Sequence, residues 1–133
     1  MSEYFEWDPS RFALHVPAMD DEHRQIIGCM NRLHELSASN ATRAELDKAL
    51  KALLDITVRH FKDEESYMEK IGFPDLAKHR IVHKHLLERL AQFKTQFESI
   101  GAFTEEFFYF LKMWLKSHIC GIDSQYARHA NAA

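Results

Sequence analysis

The sequence predicts an all-α protein, an up-down-up-down four-helix bundle preceded by an irregular N-terminal arm. Three observations carry this. Glycine and proline are scarce, four and three among 133 residues, which favours long regular elements over many short strands with turns. Apolar residues recur at three- and four-residue intervals through four separate stretches. The connections between those stretches are short, and short loops make consecutive helices antiparallel neighbours. The length suits one domain with a sizeable core, so residues 1–133 read as a single domain.

Residues 1–19 form the expected arm. Pro9 and Pro17 oppose a long helix there, while Phe5, Trp7, Phe12 and Val16 can anchor it to the body. The first helix is expected over about 20–37, capped by Asp20 or Asp21, with His23, Ile26, Ile27, Met30 and Leu33 at helical spacing. The second, about 42–70, opens on a capping box of Thr42 and Glu45 and stops at Gly72. Its stripe is Leu46, Leu50, Leu53, Ile56, His60 and Glu64. The third, about 74–99, has Pro74 suited to its first turn and Gly101 at its end. His79, His83, Leu90, Phe93 and Phe97 lie on its inner stripe. The fourth, about 104–121, is capped by Thr104 and carries Phe107, Leu111, Trp114, Leu115 and His118 inward. Gly121 is expected to interrupt it near Asp123, and the tail after about Arg128 to fray.

Composition narrows the function. A net charge of −3 offers no basic surface for nucleic acid or an anionic membrane. No apolar run reaches the length of a transmembrane helix. The N-terminus lacks the basic-then-apolar pattern of a secretory signal. Cys29 and Cys120 read as packed thiols in a reducing cytosol rather than as a disulfide, so a cytoplasmic protein is expected.

Nine histidines are unusual in a chain of this size. Up-down-up-down topology brings the start of helix one, the last third of helix two, the start of helix three and the end of helix four to one end of the bundle. His23, His60, Glu64, His79, His83, His118 and Asp123 occupy those places. No Lys or Arg on these stripes can neutralise the two carboxylates, so a metal cation is expected. Five imidazoles and two bidentate carboxylates offer more donors than one tetrahedral zinc uses. Two six-coordinate metals fit, if both carboxylates and an oxo or hydroxo group bridge them. The metal with two histidines is then left one open position for a small molecule. Imidazole and carboxylate donors suit iron, while zinc, manganese and copper accept the same types.

The order and spacing of these motifs resemble the hemerythrin family, in particular its single-domain bacterial members. The matching pieces are Asp20-Asp21-Glu22-His23, His60-x3-Glu64, His79-x3-His83 and His118-x4-Asp123, over about residues 5–128. Trp7-Asp8 and Gly72-Phe73-Pro74 match as well. The resemblance implies a non-haem diiron centre of two Fe ions. One iron would take His79, His83 and His118, the other His23 and His60, with Glu64, Asp123 and an oxo or hydroxo group as bridges. It further implies that dioxygen binds at the iron with the open position. The oxygen pocket would be Trp114, Leu115 and Ile119, closed by Ile26 and Ile27, and Tyr126 would bond a bridging carboxylate. His15, His34, His85 and His129 match no ligand position.

The expected function is reversible dioxygen binding, for storage or for delivery to an oxygen-consuming enzyme, by a monomer that is not itself an enzyme. The histidine-rich donor set supports this. Ferritin-like diiron proteins use more carboxylates and paired Glu-x-x-His motifs, which this chain lacks. The alternatives are a peroxide or nitric oxide reductase at the same pair, or an oxygen- or iron-sensing module.

Overall fold

A computed structural model describes residues 4–131; the first three residues of the expected arm and the last two of the tail lie outside them. Short helix α1 is Pro9–Phe12. The bundle consists of α2 (Pro17–Ala38), α3 (Arg43–Lys70), α4 (Leu76–Ile100) and α5 (Glu105–Ser117). A π-helical turn, His118–Asp123, then leads into α6 (Ser124–Asn131).

Local chemistry sets most of the boundaries. The Thr42 hydroxyl accepts the Glu45 N–H at the start of α3, and Thr104 does the same for Phe107 at α5. At the end of α4, Gly101 takes a left-handed φ of 79° that closes the helix. Asn40, at φ 58°, lies in the turn after α2, where its short polar side chain tolerates that conformation.

Consecutive helices run antiparallel, as their contacts show. His60 near the end of α3 meets Glu22 near the start of α2. His83 early in α4 meets Glu65 late in α3. Phe93, late in α4, packs on Phe107 and Phe110 of α5, with ring centroids 5.1 and 5.2 Å apart. His34 of α2 and Phe108 of α5 close the ring at 4.9 Å. The end of the bundle away from the histidines is filled by Leu33, Leu46, Leu50, Leu53, Phe97 and Phe107, all buried. At about 25 cal/mol per Å² of apolar surface, this packing stabilises the frame on which the polar end is built.

Four boundaries differ from the sequence expectation. The arm is not wholly irregular: Asp8 caps α1, and Pro9 sits in its first turn, where a missing N–H costs nothing. Asp20 does not cap α2, which begins at Pro17; its buried carboxylate instead accepts the Leu14 N–H at 2.8 Å and ties the arm down. Helix α4 starts at Leu76, leaving Pro74 in the preceding turn. The last helix is not broken at Gly121, which has open space around it and no left-handed φ; the chain widens into the π-turn and continues. His129 therefore belongs to α6, where it packs on Phe73.

Gly101, at a helix end, and Gly121, inside the π-turn, should respond oppositely to alanine. Gly101→Ala forces a side chain into a left-handed backbone and should cost about 1–2 kcal/mol. Gly121→Ala meets nothing within 4 Å and should leave stability unchanged or slightly raised. Urea unfolding of the two variants measures this, and equal losses would contradict the assignment.

Candidate metal centre

All seven residues expected at the polar end are brought together there, each at most 3% exposed. The carboxylates sit at the middle. Glu64 turns Oε1 toward His83 (2.8 Å), His79 (3.1 Å) and His118 (3.6 Å). Its Oε2 faces His60 (3.3 Å) and His23 (3.7 Å). Asp123 divides in the same way: Oδ1 faces His118 (2.9 Å) and His79 (3.1 Å), and Oδ2 faces His23 (3.0 Å). Every one of these contacts uses a histidine Nε2. The donor atoms gather into two groups, Glu64 with His79, His83 and His118, and His23, His60, Glu64 and Asp123, each within 4.8 Å.

The π-turn makes this possible. His118 and Asp123 are five residues apart, about 140° round an ordinary α-helix, and would point in different directions. Bonding from i to i+5 widens the turn so that both reach the interior. The same turn leaves Cys120 outside. It is exposed, not packed as expected from sequence, and its thiol meets the Arg11 carbonyl of the arm at 3.6 Å.

Several inward atoms face opposite charges without making a hydrogen bond, an arrangement that fits metal ions. Nε2 of His23, His60 and His118 and both oxygens of Asp123 are buried without a hydrogen bond. Orphan polar atoms of this kind cost about 1–3 kcal/mol each. Among the described residues, only histidines form ion pairs with Glu64 or Asp123, so no lysine or arginine offsets them. Two cations with imidazole and carboxylate preference satisfy both deficits at once.

Several neighbours escaped the sequence reading. Glu22 lies 2.6 Å from His60 Nδ1, and Glu65 lies 3.0 Å from His83 Nδ1. Each directly adjoins a predicted ligand in sequence, but only the pairing of helices shows which histidine it serves. Phe61 stacks flat on His83, with centroids 3.9 Å apart and planes 5° from parallel. The Tyr126 hydroxyl, expected near a carboxylate, donates to Glu64 Oε2 at 2.9 Å. Burial, then the charges of Glu64 and Asp123, raises its pKa, so it stays a donor. The five pocket residues, Ile26, Ile27, Trp114, Leu115 and Ile119, are all buried. Of the other histidines, His85 is 72% exposed, and neither it nor His15, His34 or His129 joins the cluster.

A single antiparallel bundle with a buried histidine–carboxylate cluster defines the class: a helical metalloprotein with room for two ions. Residues 14–130 match the family model for the hemerythrin HHE cation-binding domain, and the chain belongs to the hemerythrin family. It is similar to a bacteriohemerythrin of Methylococcus capsulatus, 35% identical over 90% of this chain and 92% of the relative. A bacteriohemerythrin of Stenotrophomonas maltophilia is 32% identical over 88% of this chain and 76% of its own. The crystal structure of a wild-type hemerythrin superimposes with a TM-score of 0.86 at 33% identity, covering 96% of this chain and 98% of that one.

Without metal, His23, His60, His79 and His118 are held toward their protonated forms. Burial alone would lower the histidine values, but the carboxylates outweigh it. Beside Glu22 and Glu64, His60 rises from 6.5 to about 9, and beside Asp123, His118 rises to about 10. Burial pushes Glu64 and Asp123 up, the latter also through the charge of Glu64, yet the histidines hold both below the usual carboxylate range. The raised histidines stabilise the metal-free fold fully below about pH 6.5, and that stability is lost as pH rises through about 9 and 10. The depressed carboxylates lose theirs only in acid. Urea midpoints of the metal-free protein should therefore fall from about pH 7 to 10, while metal, which needs neutral imidazoles, binds more tightly over the same range. A rising midpoint would contradict this.

Proposed function

We propose that the chain binds dioxygen reversibly at two irons held by these seven side chains. The observation that carries the reading is the division of the carboxylates: Glu64 turns one oxygen to three imidazoles and the other to two, and Asp123 turns Oδ1 to His79 and His118 and Oδ2 to His23. His79, His83 and His118 would hold one iron and His23 and His60 the other, with Glu64 and Asp123 between them. When bound, the diiron pair supplies a site that takes up and releases dioxygen.

The protein's own groups define the conditions of binding. Tyr126 fixes Glu64 through its hydroxyl, which keeps the carboxylate from swinging to one side. Ile26, Ile27, Trp114, Leu115 and Ile119 are buried, and as the walls of the oxygen pocket they would keep water and loose protons from the centre. The donor set has more imidazoles than carboxylates, which favours binding over oxidative chemistry. Storage, or delivery to an oxygen-consuming partner, follows from reversibility.

A groove of about 590 Å³ lined by Val82, Leu86, Met113, Trp114 and His118 supports peroxide or nitric oxide reduction as a second reading, because it gives solutes an approach. Of its lining residues only His118 belongs to the cluster, in the group with three imidazoles. That placement favours binding as the first reading.

The deciding experiment is spectroscopic. Protein loaded with iron and reduced without air should gain a visible band on exposure to oxygen and lose it on purging. An irreversible change with catalytic consumption of peroxide would overturn the binding reading. Separately, His118→Ala should lose iron whereas His85→Ala should keep about two per chain; equal iron contents would refute the ligand assignment.

A further inference from the structure

Each histidine group contains one member whose outward nitrogen meets a carboxylate. His60 Nδ1 meets Glu22 Oε1 at 2.6 Å, and His83 Nδ1 meets Glu65 Oε2 at 3.0 Å. A neutral imidazole with its Nε2 lone pair turned inward carries its proton on Nδ1, and a carboxylate there fixes that tautomer and makes the ring a stronger donor.

The two carboxylates are not equivalent. Glu65 also receives the Arg80 guanidinium, Nε to Oε1 at 3.1 Å, which offsets part of its charge. Among the described residues no lysine or arginine bonds Glu22. Arg59 acts on it only through space, and the Asp63 carboxyl shares a hydrogen bond with it. The shorter contact, made by the carboxylate with no guanidinium bonded to it, thus backs the group with fewer imidazoles.

We propose that Glu22 and Glu65 are positioning residues that make the two irons electronically unequal, with Glu22 enriching the iron held by His23 and His60. The proposal rests on the diiron reading above. Its consequence is that the iron with fewer histidine donors, where the open position lies, has the lower reduction potential. Arg80 restrains the same effect at the other iron.

Glu22, Glu65 and Arg80 are 18%, 24% and 51% exposed, so their variants should fold. Glu22→Gln keeps an amide oxygen to accept the Nδ1 proton and removes only the charge. It should raise the midpoint potential of the iron-loaded protein and weaken iron(II) binding about tenfold. Glu65→Gln should raise the potential less. Arg80→Gln, which leaves Glu65 uncompensated, should lower it. A role confined to packing would not give opposite signs. A wild-type potential in Glu22→Gln, or a shift of Arg80→Gln in the same direction as Glu22→Gln, would overturn the proposal.

A zinc-loaded sample gives a second readout independent of redox chemistry. The His60 Nδ1 proton should resonate downfield of the His83 one and move upfield in Glu22→Gln; the reverse order would overturn the proposal. Wild-type protein that binds far from two irons would instead defeat the diiron reading, an outcome distinct from either.

Discussion

Glu64 and Asp123 are completely buried, 0% exposed, in the middle of a helical bundle. Uncompensated carboxylates in such a place are too costly to persist, and removing one partner of a buried ion pair costs about 3–5 kcal/mol. The histidine cluster is the answer to that constraint. Protonated imidazoles hold the carboxylates charged, and in the proposed diiron state the same nitrogens would serve as ligands. Tyr126 satisfies one further lone pair of Glu64. The aromatic ring of Phe61, stacked on His83, fixes an imidazole that has no freedom to turn away.

The same constraint explains why the bundle is uneven along its length. One end is apolar throughout and carries the ordinary stability of packed helices. The other trades apolar contact for a polar cluster that is satisfied only as a unit. The π-turn belongs to this second end, and the arm runs along α2 to reach it, from Tyr4 against His34 to Leu14 at Asp20. Asn31 pairs with both the N–H and the carbonyl of Phe5, and Asp20 takes the Leu14 N–H. These bonds hold the arm where Arg11 can touch the turn that carries His118 and Asp123.

Much of this was legible in the sequence because topology and position are enough to place side chains at one end of a bundle. The spacing of His60 and Glu64, or of His79 and His83, is a helical repeat and reads directly as a shared face. Tyr126 and the pocket residues came through resemblance rather than pattern, since buried apolar residues look alike in sequence. What stayed hidden depended on contacts between elements. Asp20 looked like a cap, because an acid near a helix start is indistinguishable from one that holds a neighbouring strand of chain. Gly121 looked like a break, because glycine propensity does not reveal a π-turn. Glu22 and Glu65 carry no signal of their own in the sequence, and only the pairing of α2 with α3 and of α3 with α4 shows what they hold.

In the proposed centre one cluster holds two metal ions, divided three imidazoles to two across a pair of shared carboxylates. Anomalous diffraction at the iron edge from crystals of the iron-loaded protein tests it most directly. Two peaks should appear, one against His79, His83 and His118 and one against His23 and His60, with Glu64 and Asp123 touching both. A single peak, or two peaks that share no carboxylate, would contradict the account.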